Sequence, residues 1–225
     1  MVNLISQQAT VLVRDHSRFN GGNHDMVTVF TTIMTDGPLV DDYYVPNGNS
    51  LSDVHMALIK SEGLEFRPYL ASELMTGTDN VVEAATSGNT LETSQDIARL
   101  LLRSALIKTP LQLLAKVGSQ HVYEIHYDYK IYNVHPADQN TFEFQIRLPF
   151  DGTVMGNGSK VDLAVLTPTG ASIDQVNTHG TDEANQEITE VIQQLQQQNR
   201  AITTFHYQID PLFTVRYTHT TPVMA

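Results

Sequence analysis

Between residues 121 and 150 the chain carries two arms of strictly alternating side chains. In the first, Tyr123, Ile125, Tyr127, Tyr129 and Ile131 fall on one side, with Glu124, His126, Asp128 and Lys130 on the other. In the second, Phe142, Phe144, Ile146, Leu148 and Phe150 oppose Glu143, Gln145 and Arg147. Successive side chains of a strand point to opposite faces, so this alternation reads as strands with one buried and one wet face. An all-helical fold is excluded. The break His135-Pro136-Ala137-Asp138-Gln139-Asn140 is short and rich in turn formers, which predicts an antiparallel hairpin joining the two arms.

Around this stretch the chain mixes strands and helices. Residues 10–14, 26–34, 43–45, 160–166, 204–209 and 212–217 read as strands. The run 26–34 is apolar on both sides, which predicts a central position. A helix is expected over 51–62, with Ser50 as N-cap and Gly63 just past the end. A second is expected over 94–108, with Ile97, Leu100, Leu101 and Ala105 on one face and Leu102 and Leu106 widening it, so that most of its sides would be covered. Thr109-Pro110-Leu111-Gln112 has proline at a first helical position, so a further helix is expected there, closed by Gly118. A third long helix is expected over 182–199, where Ile188, Val191, Ile192 and Leu195 follow an i, i+3, i+4, i+7 stripe and much of the remainder is Gln. Residues 76–93 are the most loop-like segment, read as an interaction arm. No internal repeat occurs.

The predicted fold class is α+β: an antiparallel β-sheet or sandwich core with three or four helices packed on it. It is expected as a single domain over 1–225 with two lobes. The lobe 1–118 would be mixed α/β, and 119–225 an antiparallel β lobe with one helix.

Composition narrows the function. The net charge is −12, a field that repels phosphate backbones and anionic lipid, so broad nucleic-acid or membrane binding is not expected. Cysteine is absent, which removes disulfides, thiolate metal sites and cysteine nucleophiles. Charged residues make up 17%, against about 25% in ordinary soluble domains, with Thr, Gln, Asn and Ser in their place. Uncharged polar surface is cheaper to desolvate, which suits contact between protein chains. The first residues lack a basic n-region and a long apolar run, so no signal peptide is expected. No stretch reaches the ~18 apolar residues of a membrane span.

Candidate chemistry is sparse. Asp15, His16, His24 and Asp25 share one loop and are the residue types that bind metals or move protons, although their spacing matches no known motif. Asp41-Asp42 is an acidic pair that could bind a cation. Asp182-Glu183 is a second pair, at the start of an expected helix, where the dipole favours negative charge. Gly152, Gly156 and Gly158 resemble a phosphate loop only superficially. Ser159 precedes Lys160 and a strand follows, so a hairpin loop is expected. Neither a Gly-x-Ser-x-Gly elbow nor a His-Glu-x-x-His helix occurs.

No catalytic, cofactor-binding or metal site is therefore assigned, and no cofactor. The expected function is that of a structural subunit of a large symmetric assembly, of the kind found in a virion as a phage capsid, connector or tail protein, located in the virion or the cytoplasm. Its partners would be copies of itself and other assembly proteins, through edge strands, the 76–93 arm and the Gln-rich face of the expected 182–199 helix (Gln186, Gln193, Gln194, Gln196, Gln197 and Gln198). Two alternatives stay open. One is a ligand- or carbohydrate-binding β-sandwich module that exposes several of Tyr123, Tyr127, Tyr129 and Tyr132. The other is a metal-dependent hydrolase using Asp15, His16, His24 and Asp25.

Overall fold

A computed structural model describes residues 2–19, 24–39, 42–47, 51–70, 74, 81–135, 138–182, 184, 186–188, 193–197, 200–207 and 212–219. The chain divides into two compact units, Met1–Leu39 with Leu111–Ala225, and Val40–Pro110. Most of the described structure is β-strand, in several sheets, with three helices.

The larger unit holds two sheets. The first has seven strands: β1 (Val2–Arg14), β2 (Asp25–Thr35), β6 (Gln112–Val117), β7 (Gln120–Ile131), β10 (Thr153–Leu166), β14 (Gln193–Gln197) and β15 (Arg200–Tyr207). They lie in the order β14-β15-β10-β1-β2-β7-β6. The second has the path β13-β12-β16-β9-β8, made from β8 (Asn133–His135), β9 (Asp138–Arg147), β12 (His179–Thr181), β13 (Glu187–Ile188) and β16 (Leu212–Thr218), with β11 (Ser172–Ile173) also on β16.

Alternation sets the buried faces as expected. Tyr123, Ile125, Tyr127, Tyr129 and Ile131 are buried, and so are Phe142, Phe144, Ile146, Leu148 and Phe150. An antiparallel hairpin does close over the expected break, but its first arm is β8, with His135 opposite Asp138 and Asn133 opposite Phe142, and not β7. β7 pairs with β2 and β6, placing Val27 opposite Tyr129 and Val29 opposite Tyr127. β9 pairs with β16 and β8, placing Phe144 opposite Val215 and Ile146 opposite Phe213. A period of two dictates which face is buried but not which strand lies alongside. One ring contact joins the two sheets, Phe205 of β15 and Phe213 of β16 at 5.0 Å, and Phe150, past the end of β9, lies 6.5 Å from Tyr127 of β7.

Pairing is not purely antiparallel, because β1 and β10 run parallel. Their register jumps from Leu4↔Met155 to Ser6↔Lys160, so residues 156–159 bulge out of β10. The glycine-rich segment is thus a bulge inside one strand and not a hairpin loop. Gly158 takes φ +91° there, and Ser159 closes the bulge by donating to the Leu4 carbonyl at 2.6 Å and accepting from the Gly156 amide at 2.8 Å. The offset moves the buried face of β1 from Leu4 to Gln7, Ala9, Val11 and Val13. The buried Gln7 side chain is satisfied: its amide donates to Thr31 Oγ1 and its carbonyl accepts from the Phe150 amide at 3.1 Å.

Two expected helices are strands. Residues 112–117 form β6, because Gly118, at φ +63°, turns the chain back onto β7. The segment 182–199 contains β13 and β14, and Leu195 pairs with Ile202 of β15. Pairing with a neighbouring strand here overrides the helical stripe, as tertiary context commonly does with propensity. Val191 and Ile192, half of that stripe, lie outside the described residues.

The smaller unit has a three-stranded sheet, β4-β3-β5, from β3 (Tyr43–Pro46), β4 (Tyr69–Leu70) and β5 (Leu106–Thr109). It also holds the helices α1 (Asp53–Ser61), α2 (Val81–Ser87) and α3 (Thr90–Ser104). α1 starts two residues later than expected and ends at Ser61, with Glu62 as its C-cap and Gly63 next at φ +74°. The proposed cap Ser50 lies outside the described residues, and Ser52 occupies the N-cap. α3 begins at Thr90 because the Asn89 side chain accepts from the Glu92 amide and donates to the Glu92 carboxylate at 2.6 Å. Much of the expected loop is therefore helical, and residues 76–80 lie outside the described residues. α3 stops at Ser104, short of the expected Lys108, because Leu106–Thr109 pairs with β3. No helix among the described residues is long and apolar enough to cross a membrane.

Candidate functional site

The four loop residues singled out in the sequence part company in the structure. Asp25 opens β2 and points inward, fully buried. Its Oδ1 accepts from the Ser17 amide at 2.9 Å. Its Oδ2 accepts from the Tyr217 hydroxyl at 2.6 Å and from His219 Nε2 at 2.5 Å. Burial pushes the Asp25 carboxyl up, but the hydrogen bonds from His219, Ser17 and Tyr217 outweigh it and hold the group below its ordinary value. Burial and the neighbouring Asp25 charge push the Tyr217 phenol well above its ordinary value. Phe142 stacks on Tyr217 and meets His219 edge-on. His219 Nδ1 is buried and has no hydrogen-bond partner among the described residues. This cluster joins the first residue of β2 to the end of β16, and so ties one sheet to the other.

Asp15 instead pairs with Arg18 at 3.1 Å, and Arg18 reaches the Thr169 carbonyl. The rings of His16 and His24 lie 6.3 Å apart, and His24 packs against Tyr132. Burial, Lys130 and His16 lower the His24 pKa, and Asp25 opposes them. Among the described residues no three His, Asp or Glu side chains converge to hold a metal ion. Asp42 forms an ion pair with Lys108 at 2.6 Å, while Asp41 lies outside the described residues. The Asp182 carboxylate accepts from the Ala184 and Gln186 amides in a local turn, not at a helix start, and Glu183 lies outside the described residues. Tyr123, Tyr127 and Tyr129 are buried, so they offer no stacking surface to a sugar.

The outside of the molecule is more distinctive. β6 is one terminal strand of the seven-stranded sheet, and every residue from Gln112 to Val117 is exposed. Leu113 is 51% exposed, Leu114 48% and Val117 69%. Alternate residues of a strand face opposite sides, so β6 is exposed on both faces, and among the described residues no strand pairs with its outer edge. An apolar edge of this kind is a ready template for another strand. In the smaller unit, α3 buries Ala98 and Leu102 but leaves Ile97 43% and Leu100 40% exposed. The expectation that this helix is covered on most sides fails, because its apolar stripe is wider than the face it packs. Leu91, Val82, Val54 and Ile107 of the same unit are exposed too.

Sequence reasoning placed a helix over β6 and so missed this edge. The signal was present: Gly118-Ser119 is a two-residue turn between two strand-compatible runs. His219 gave no local signal, since it meets a partner 194 residues away. No family model matches the chain, and no curated protein matches it.

Proposed function

We propose that the chain is a structural subunit of a large symmetric protein assembly, of the virion type represented by capsid, connector and tail proteins. It acts through contacts with copies of itself and with other assembly proteins, without catalysis, in the virion or the cytoplasm. The observation that carries this reading is β6, an edge strand with three large apolar side chains open to solvent on both faces. A chain that works alone normally protects such an edge with charge, proline, a bulge or a covering loop. Here Lys116 is the one charged side chain in the strand, and one bulge between Leu113 and Ala115 interrupts its pairing with β7, yet Leu113, Leu114 and Val117 stay exposed. The exposed Ile97 and Leu100 of α3 add a second apolar surface. The virion type rests on composition: low charge, abundant uncharged polar side chains, no cysteine and no catalytic signature. In the same reading the two sheets of the larger unit pack as a sandwich, supported by the Phe205–Phe213 contact and by the Asp25–Tyr217–His219 cluster.

The test is the mass in solution at low micromolar concentration, by light scattering behind a sizing column. A defined oligomer or polymer is expected, and the variant Leu113→Lys, Val117→Lys should shift the population towards the 25.0 kDa single chain. A wild-type chain that stays at that mass over a wide concentration range overturns the reading.

A further inference from the structure

The seven-stranded sheet ends in β6 on one side and β14 on the other, among the described residues. We infer that these two edges recognise each other between copies, so that β6 of one chain adds to β14 of the next and the sheet continues from subunit to subunit. The inference rests on the assembly reading and names its partner surface.

Strand polarity supports it. β2 runs antiparallel to β1, β7 antiparallel to β2, and β6 antiparallel to β7, so β6 opposes β1. On the other side β10 is parallel to β1, β15 antiparallel to β10, and β14 antiparallel to β15, so β14 runs with β1. The two edges are therefore opposite in direction. A second copy in the same orientation, shifted along the sheet, meets the first with β6 antiparallel to β14. That is the stronger ladder, and it keeps each face of the sheet continuous. The strands also match in length, with six residues in β6 and five in β14.

Neither edge carries much charge to desolvate. Lys116 is the one charged side chain of β6, and β14, Gln193-Gln194-Leu195-Gln196-Gln197, has none. Beside each strand the register places one charge of the sign that the other edge can meet, Glu124 opposite Gln112 and Arg200 opposite Gln197. A contact of β6 with β14 is heterologous and builds a ring or a filament according to the rotation between copies.

The absence of cysteine makes the test direct. Ala115→Cys and Val117→Cys are made on β6, and Gln194→Cys, Leu195→Cys and Gln196→Cys on β14, each as a single variant of the full chain. Disulfides form only when Cα atoms approach within about 7 Å, so a mixture of a β6 variant with a β14 variant should give roughly tenfold more cross-linked dimer than either variant alone. Antiparallel pairing adds a pattern: the best partner of Val117→Cys should lie two residues earlier on β14 than that of Ala115→Cys. Dimers from β6 variants alone, at the yield of the mixtures, would overturn the inference in favour of a two-fold contact. A wild-type oligomer whose variants never cross-link between the edges overturns it too, yet leaves the assembly reading standing. A wild-type chain that is a monomer at all concentrations overturns both.

Discussion

Replacing Asp25 with Ala tests the buried cluster that joins β2 to the end of β16. The change removes one carboxylate but strands three donors: the Ser17 amide, the Tyr217 hydroxyl and His219 Nε2. All three residues are buried, so water cannot replace the lost acceptor. One buried donor left without a partner costs about 1–3 kcal/mol. The three losses overlap, and a total of about 4 kcal/mol is the working figure. In a chain of this size each kcal/mol moves Tm by about 2–4 °C, so the variant should melt roughly 8–16 °C below wild type at neutral pH.

The effect has a pH signature. The folded state holds the Asp25 carboxyl below its ordinary pKa, so the ionised form is bound more tightly in the folded chain than in the unfolded one. The contribution is complete above the ordinary carboxylate range and is lost as the pH falls through the folded pKa. The stability gap between wild type and Asp25→Ala should therefore narrow in acid. Thermal melts followed by circular dichroism, from neutral to acidic pH, measure both quantities. A variant melting within about 2 °C of wild type at neutral pH, or a gap that widens in acid, would refute the assignment of Asp25 as a clasp between sheets.

Other expectations follow from single observations. Gly158→Ala should cost about 1–2 kcal/mol, because φ +91° is strained for any residue with a Cβ. Gly156→Ala has no positive φ and meets nothing nearer than Ser159 Oγ at 3.9 Å, so it should stay within about 0.5 kcal/mol, which paired denaturant titrations would resolve. Gln7→Leu leaves the Phe150 amide without its acceptor and should cost about 1–3 kcal/mol despite the gain in apolarity; a stabilised variant would count against the bridge. Leu102→Ala in α3, where the side chain is fully buried, should cost about 2–5 kcal/mol, read from the unfolding of the smaller unit by hydrogen exchange.

The strand faces were legible at once. Phe142, Phe144 and Ile146 alternate with Glu143, Gln145 and Arg147, and no register of a half-buried strand puts the second set inside. The central place of β2 was equally readable, since a strand apolar on both sides needs neighbours to cover it. The run 112–117 was misread because Pro110 suits a helix start as well as a strand end. The run 182–199 was misread because Ile188, Val191, Ile192 and Leu195 satisfy a helical period, while nothing local announces a partner at β15. Of the site, Asp25 was picked out for its chemistry, but as a ligand in a loop and not as a buried acceptor.

Taken alone, the sequence determined the composition of the surface, the absence of thiol chemistry and the inward faces of the long strands, because side-chain type and a period of two are local properties of the backbone. Tertiary structure decided which strands are neighbours, that β1 and β10 run parallel, and that β6 and β14 end the sheet among the described residues. It also brought His219 and Tyr217 to Asp25. The reason is physical: every strand offers the same backbone donors and acceptors, so pairing is chosen by the packing of the whole sheet and not by any one segment.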